Sequence, residues 1–134
     1  MSNKNKTGNA MDITITSQEK TDYLFIETNA VLLTAEDLIG QSEMLYEEIE
    51  KYSFKKILID ESETQLPKEL IPYFDLVKNY IIEFPVEIRE LKIAVVTGEE
   101  YQETAKSRET LCVSRGLNYC SFLTIEEAEK WLLS

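Results

Sequence analysis

The chain contains no histidine. That removes the commonest general base, the usual metal-binding imidazole and every Ser-His or Cys-His nucleophile pair. Glycine is scarce, and its four copies never fall in Gly-x-Gly-x-x-Gly or Walker spacing, so neither common phosphate cradle can be built. The two cysteines, Cys112 and Cys120, are too few for a disulfide framework and too far apart for a redox or zinc pair. They read as buried structural thiols. The first residues lack the apolar core of a signal peptide, which together with the cysteine usage points to a reducing, cytoplasmic setting. Unbroken apolar runs stop at four or five residues, as at Ile93 to Val96, against roughly 20 for a bilayer span, so no membrane insertion is expected. Positive charge is also short: 14 Lys and Arg stand against 25 Asp and Glu, a net charge of -11. Phosphate backbones and anionic lipid surfaces are repelled by such a balance, which argues against nucleic acid as a partner. No enzyme activity, cofactor or metal site is expected from this set of absences.

What is present is the pattern of one folded domain. Residues 1–11 are nearly devoid of apolar side chains and read as a disordered tail, leaving residues 12–134 as a single α/β domain. Ile13 and Ile15 alternate with polar neighbours, and Leu24, Phe25 and Ile26 form a second strand, the pair making a hairpin. Thr34 and Asp37 have capping-box spacing, with Leu33 and Leu38 at the staple positions, so a helix begins there. It turns Leu38, Leu45, Ile49 and Tyr52 inward and its acidic residues, Glu48 among them, outward. Ile57 to Ile59 and Ile93 to Val96 are continuous apolar strands of the kind covered on both faces. Between them Leu70, Phe74, Val77, Ile81 and Phe84 form a helical stripe ended by Pro85, with Pro72 in the first turn. A third helix follows Gly98, with Tyr101, Ala105, Arg108 and Cys112 on one face and Gly116 at its C-terminal cap. Asn118 to Leu123 is a last strand, and Thr124 with Glu127 caps a closing helix. The order β-β-α-β-α-β-α-β-α demands crossovers and a mainly parallel sheet.

That order, the strand ending at Leu58 to Glu61 ahead of the second helix, and the acidic closing segment Thr124 to Leu132 (TIEEAEKWL) resemble the STAS family of anti-sigma-factor antagonists. The likeness is closest to its divergent branch of stand-alone bacterial proteins. It implies a fold shared with the CRAL-TRIO lipid-binding proteins, and partner binding switched by phosphorylation of a serine in an Asp-Ser-Ser-Gly motif. Here residues 60–70 read DESETQLPKEL, so that motif is absent. Ser62 and Thr64 lie nearby as weak phosphorylation candidates, but Glu61 and Glu63 would repel an added phosphate.

Three groups of residues remain to be placed. Ser62, Thr97 and Gly98 stand at the carboxyl ends of parallel strands, where open α/β sheets gather small ligands. Val31 and Leu32 belong to an apolar loop at the same end, and Tyr73 and Tyr80 sit off the core stripe of the second helix; core packing is the first reading of these residues, and a surface for a partner, a second copy or an apolar tail is the alternative. Asp60, Glu61 and Glu63 read as a solvated acidic loop. The expectation is a regulatory module binding a protein partner or a second copy of itself, with a carrier or sensor of a small apolar ligand or lipid as the rival and an enzyme of unknown type, using carboxylates or Cys112, as the third reading.

Overall fold

The computed structural model describes residues 3–6, 12–79 and 86–134. Ile13 and Ile15 share one face of strand β2 (Asp12–Glu19), which pairs antiparallel with β3 (Leu24–Ala30) in the expected hairpin. An edge strand, β1 (Asn3–Lys6), lies antiparallel along β2, with Asn3 opposite Ile15 and Lys6 opposite Asp12. These four residues fall inside the span the sequence assigns to a tail. Strand edges offer backbone N–H and C=O groups to any extended segment, so pairing there needs no apolar side chains.

Helix α1 (Ala35–Glu50), strand β4 (Lys56–Asp60), helix α2 (Ile71–Asn79), strand β5 (Lys92–Val96), helix α3 (Gln102–Ser114), strand β6 (Asn118–Phe122) and helix α4 (Ile125–Leu132) follow. Short 3₁₀ turns at Val86–Glu90 and Glu99–Tyr101 precede β5 and α3. The six strands stand in sequence order across one sheet, and β3 to β6 are parallel. Each crossover therefore steps one strand in the same direction. Crossovers of one hand then lie on one face of the sheet, and the packing agrees: Ile15, Ile26, Ile57, Ile59 and Ile93 form one core with Leu38, Met44 and Ile49 of α1, Tyr73 and Leu76 of α2, and Cys112 of α3. Helix α4 packs on the opposite face. There Ala128 and Leu132 pack on Leu58, Ala94 and Val96, the alternate residues of the same strands. The unbroken apolar runs of β4 and β5 follow from this covering on both sides, each fully buried aliphatic contributing about 1.5–3 kcal/mol.

The helix ends are built as their sequences require. Thr34 Oγ1 accepts from the Asp37 N–H and the Asp37 carboxylate accepts from the Thr34 N–H, completing the capping box. Gly116, at φ 91°, ends α3: its N–H donates to the Val113 carbonyl and that of Leu117 donates to Cys112, the Schellman pattern.

Several side chains depart from their expected faces. Leu33 is 58% exposed and does not act as a buried staple. Glu48, expected in solvent, is buried, its carboxylate accepting from Ser17 Oγ and Lys51 Nζ. On α2 the phase of the stripe differs. Tyr73 and Leu76 turn inward, whereas Leu70 and Phe74 turn out. Ile81 and Phe84 of that stripe lie outside the described residues.

Candidate functional site

Three regions bring chemistry-bearing or unpartnered residues together. The first is an apolar surface at the end of the sheet where α1 and α2 begin. Residues Ala30 to Leu32 run beside Gln65, with the Leu32 N–H donating to the Gln65 carbonyl and the Gln65 N–H to that of Ala30. This holds the loop before α1 against the segment before α2. Val31 is 54% exposed and Leu33 58%, and on α2 Ile71 is 69% exposed and Phe74 53%. Leu33, Leu66, Pro67 and Pro72 line a shared surface groove of about 340 Å3. Val31 thus lies where a partner could reach it, but its neighbour Leu32 is fully buried and leaves the partner-binding set.

The second region is the interior centre around Arg108. Its guanidinium donates to Glu61 Oε2 at 2.5 Å, both side chains being almost wholly buried, and it lies 5.8 and 5.9 Å from the ring centroids of Tyr73 and Tyr119. Burial works against the Arg108 charge, and the charge and hydrogen bond of Glu61 together with Tyr119 and Tyr73 more than reverse it, holding the group protonated. Arg108 Nε has no hydrogen-bond partner. Beside the pair lies a space of about 100 Å3 walled by Ile59, Ile93 and Val95 of the sheet and by Leu45, Ile49 and Cys112 of the helices. Burial pushes the Tyr73 hydroxyl up to about 12 and the Cys112 thiol up to about 11, so at neutral pH the thiol is protonated and not a ready nucleophile.

Two expectations are corrected here. Glu61 and Asp60 are buried rather than solvated. Tyr73 is 0% exposed and offers no partner surface. An aromatic ring with a polar tip suits this position better than Phe74 would, because the ring stacks under Arg108 while its hydroxyl donates to the Pro67 carbonyl at 2.8 Å. Tyr80 lies outside the described residues. The sequence reading placed Arg108 on the buried face of α3 without asking for its counter-ion. A cation on an apolar stripe needs a buried anion, and the acidic run after β4 supplies the nearest candidates.

The third region is at the carboxyl ends of the parallel strands. Ser62 is exposed, its N–H donating to Asp60 Oδ1, and Gly98 lies against it: a Cβ at Gly98 would stand 3.3 Å from the Ser62 carbonyl oxygen. Thr64 is buried with its hydroxyl donating to the Thr28 carbonyl at 2.9 Å, which removes it as an accessible phosphorylation target. Thr97 is 2% exposed, and its Oγ1 has no partner. It lines a crevice of about 210 Å3 between α3 and α4, together with Gln102, Lys106, Ser121, Phe122 and Glu127. Among the described residues no group of three or more carboxylates or thiols converges as a metal site, and no helix is long and apolar enough to cross a membrane.

The sheet is ordered in sequence, with three of the described helices on one face and α4 on the other, a mixed α/β arrangement similar to the SpoIIAA-like fold that STAS domains share. Among solved structures the chain is similar to an uncharacterised protein of the DUF3478 family from Shewanella loihica, described as having a SpoIIAA-like fold. The TM-score is 0.55 at 22% identity, over 96% of this chain and 99% of that one, a likeness of fold. No family model and no curated protein matches the sequence.

Proposed function

We propose that this chain is a non-enzymatic regulatory module that docks a partner protein through the apolar face at the start of α2. The observation that carries the reading is the exposure of Val31 and Leu33 before α1 and of Ile71 and Phe74 on α2, with Leu33 and Pro72 lining one groove between the two segments. Fully burying such a side chain is worth about 1.5–3 kcal/mol, part of which is unrealised at these half-exposed positions, and apolar groups gathered at a surface mark interaction sites. Glu36, Glu69 and Asp75 are exposed on the same segments, with Lys68 and Lys78 as exposed cations, on a chain of net charge -11. A second copy would bring like charge to this rim. A partner with an apolar centre and a basic rim is complementary to it. The regulatory setting is supported by the SpoIIAA-like fold, and a phosphoserine switch is not part of the reading, since Ser62 sits between Glu61 and Glu63. A lipid carrier is less well supported: the space beside Arg108, about 100 Å3, corresponds to roughly three waters and does not take an acyl chain.

The test is the double variant Ile71→Ser/Phe74→Glu. Both positions are exposed, so stability should stay within about 0.5 kcal/mol of the parent. The parent should retain a basic protein that the variant loses, and the purified partner should protect the amides of residues 70–76 from hydrogen exchange. Sedimentation as a dimer that the substitutions dissolve would replace the partner by a second copy. Identical proteins captured by parent and variant, with no protection of α2, would sink the proposal.

A further inference from the structure

We infer that the crevice between α3 and α4 is a binding site for a small zwitterion of the amino-acid class. Connections leaving neighbouring parallel strands toward opposite faces open a crevice at the strand ends, and in open α/β sheets ligands occupy it. In this sheet that divergence falls between β5 and β6. The chain leaves β5 for α3 on one face, and leaves β6 for α4 on the other. Thr97, the residue after β5, lines the crevice, and its buried hydroxyl has no partner among the described residues, although such groups are nearly always satisfied by protein, by ordered water or by a bound molecule.

The walls select the ligand. Lys106 on α3 and Glu127 on α4 line opposite sides and are not ion-paired with each other. Lys106 Nζ makes only long contacts, 3.4 Å to the Ser121 carbonyl and 3.5 Å to Glu109, from a side chain that is 58% exposed, so it can be re-aimed. Glu127 Oε1 accepts from Thr124 Oγ1, and the second carboxylate oxygen remains available. A bare carboxylate entering here would meet Lys106 but be repelled by Glu109 and Glu127. A bare amine would meet Glu127 but face Lys106. A molecule carrying both charges satisfies both walls, with Thr97 Oγ1 as the third contact. The volume, about 210 Å3, corresponds to roughly seven waters, room for a small amino acid and not for a nucleotide.

The experiment is a titration of the 15N-labelled full chain with glycine, L-alanine, L-serine and L-threonine, with propionate and ethylamine as probes that each keep one charge. At least one amino acid should shift the amides of residues 97, 102–106 and 121–127 saturably, and each single-charge probe should bind about tenfold or more weakly. Glu127→Gln and Lys106→Gln should each weaken binding by about tenfold. Thr97→Val distinguishes ligand contact from a structural role: loss of an unsatisfied hydroxyl should raise the melting temperature while binding falls. No saturable shift with any of the four amino acids overturns the site. Equal shifts with propionate or ethylamine overturn the zwitterion, and undiminished binding by Thr97→Val overturns the assigned contact.

Discussion

Arg108 and Glu61 hold opposite charges with both side chains almost wholly buried, and the two halves of the pair are unequal to their sum. Removing one partner leaves the other charge buried and uncompensated, a loss of about 3–5 kcal/mol, whereas replacing both by apolar residues of similar volume is often neutral or stabilising. Glu61→Leu should therefore lower stability by about that amount in urea unfolding. The double variant Glu61→Leu/Arg108→Met should recover most of it. A double variant as unstable as the sum of its singles would mean that the pair acts through packing against Tyr73 and Tyr119 rather than through charge. The same residues mark where the sequence stops being legible. The helical spacing of Tyr101, Ala105, Arg108 and Cys112 shows which residues share a buried face, and all four are buried. It does not show which carboxylate comes to meet the arginine, because Glu61 lies 47 positions away and the approach depends on the crossover. Thr97 and Gly98 could be placed at strand ends by position alone, while the crevice that Thr97 lines with Lys106 and Glu127 depends on the face on which α4 packs.

Strand β6 is the open edge of the sheet, and its exposed backbone would be a template for pairing with another chain. Helix α3 closes it at Ser121. Glu109 Oε1 accepts from the Ser121 N–H at 2.7 Å and from its hydroxyl at 2.9 Å, while Lys106 Nζ donates to the Ser121 carbonyl at 3.4 Å. Two side chains one turn apart thus supply the acceptor and donor that a neighbouring strand would bring. Burial pushes the Glu109 carboxyl up, but the Ser121 N–H and O–H and the Lys106 ammonium more than reverse this, leaving it below the ordinary carboxylate value. A folded value below the unfolded one means that the stabilisation is complete above the unfolded value and is lost as pH falls through the folded one. Glu109→Ala should cost about 1–3 kcal/mol by stranding the Ser121 N–H. It should also make the acid limb of a stability–pH curve shallower, and raise self-association in sedimentation at high concentration. An unchanged acid limb would show that the lock carries no linkage. At this scale the sequence is most readable: caps at Thr34 and Thr124, the glycine stop at Gly116 and the buried runs of β4 and β5 are local signals, each found where its chemistry puts it. Strand β1 was hidden because backbone pairing leaves no apolar trace. The outward turn of Phe74 was hidden because an Ile, Phe and Leu-rich helix offers two competing stripes, and only the neighbouring Arg108 decides that Tyr73 takes the inner one.

The whole molecule carries 25 acidic and 14 basic side chains, and folding brings the excess of 11 negative charges closer together than in the unfolded chain. That repulsion opposes compaction. Salt screens it, with a Debye length of about 10 Å at 0.1 M, but salt also weakens the exposed pair Lys55–Glu90 at 3.4 Å and the partly exposed pair Lys106–Glu109 at 3.5 Å. Such pairs contribute about 0–1 kcal/mol each, and the buried Arg108–Glu61 pair is shielded from added ions. Repulsion among the unpaired carboxylates should therefore dominate, and stability should rise with sodium chloride between 10 mM and 0.3 M (about a thirtyfold increase in ionic strength). For a domain of this size each kcal/mol gained moves the melting temperature by about 3–6 °C, a change that differential scanning calorimetry resolves. A melting temperature that falls with salt would mean that local ion pairs outweigh the net charge. It would also remove the electrostatic ground for preferring a basic partner over a second copy at α2, since the same surplus of carboxylates that strains the folded chain is what sets two copies against each other.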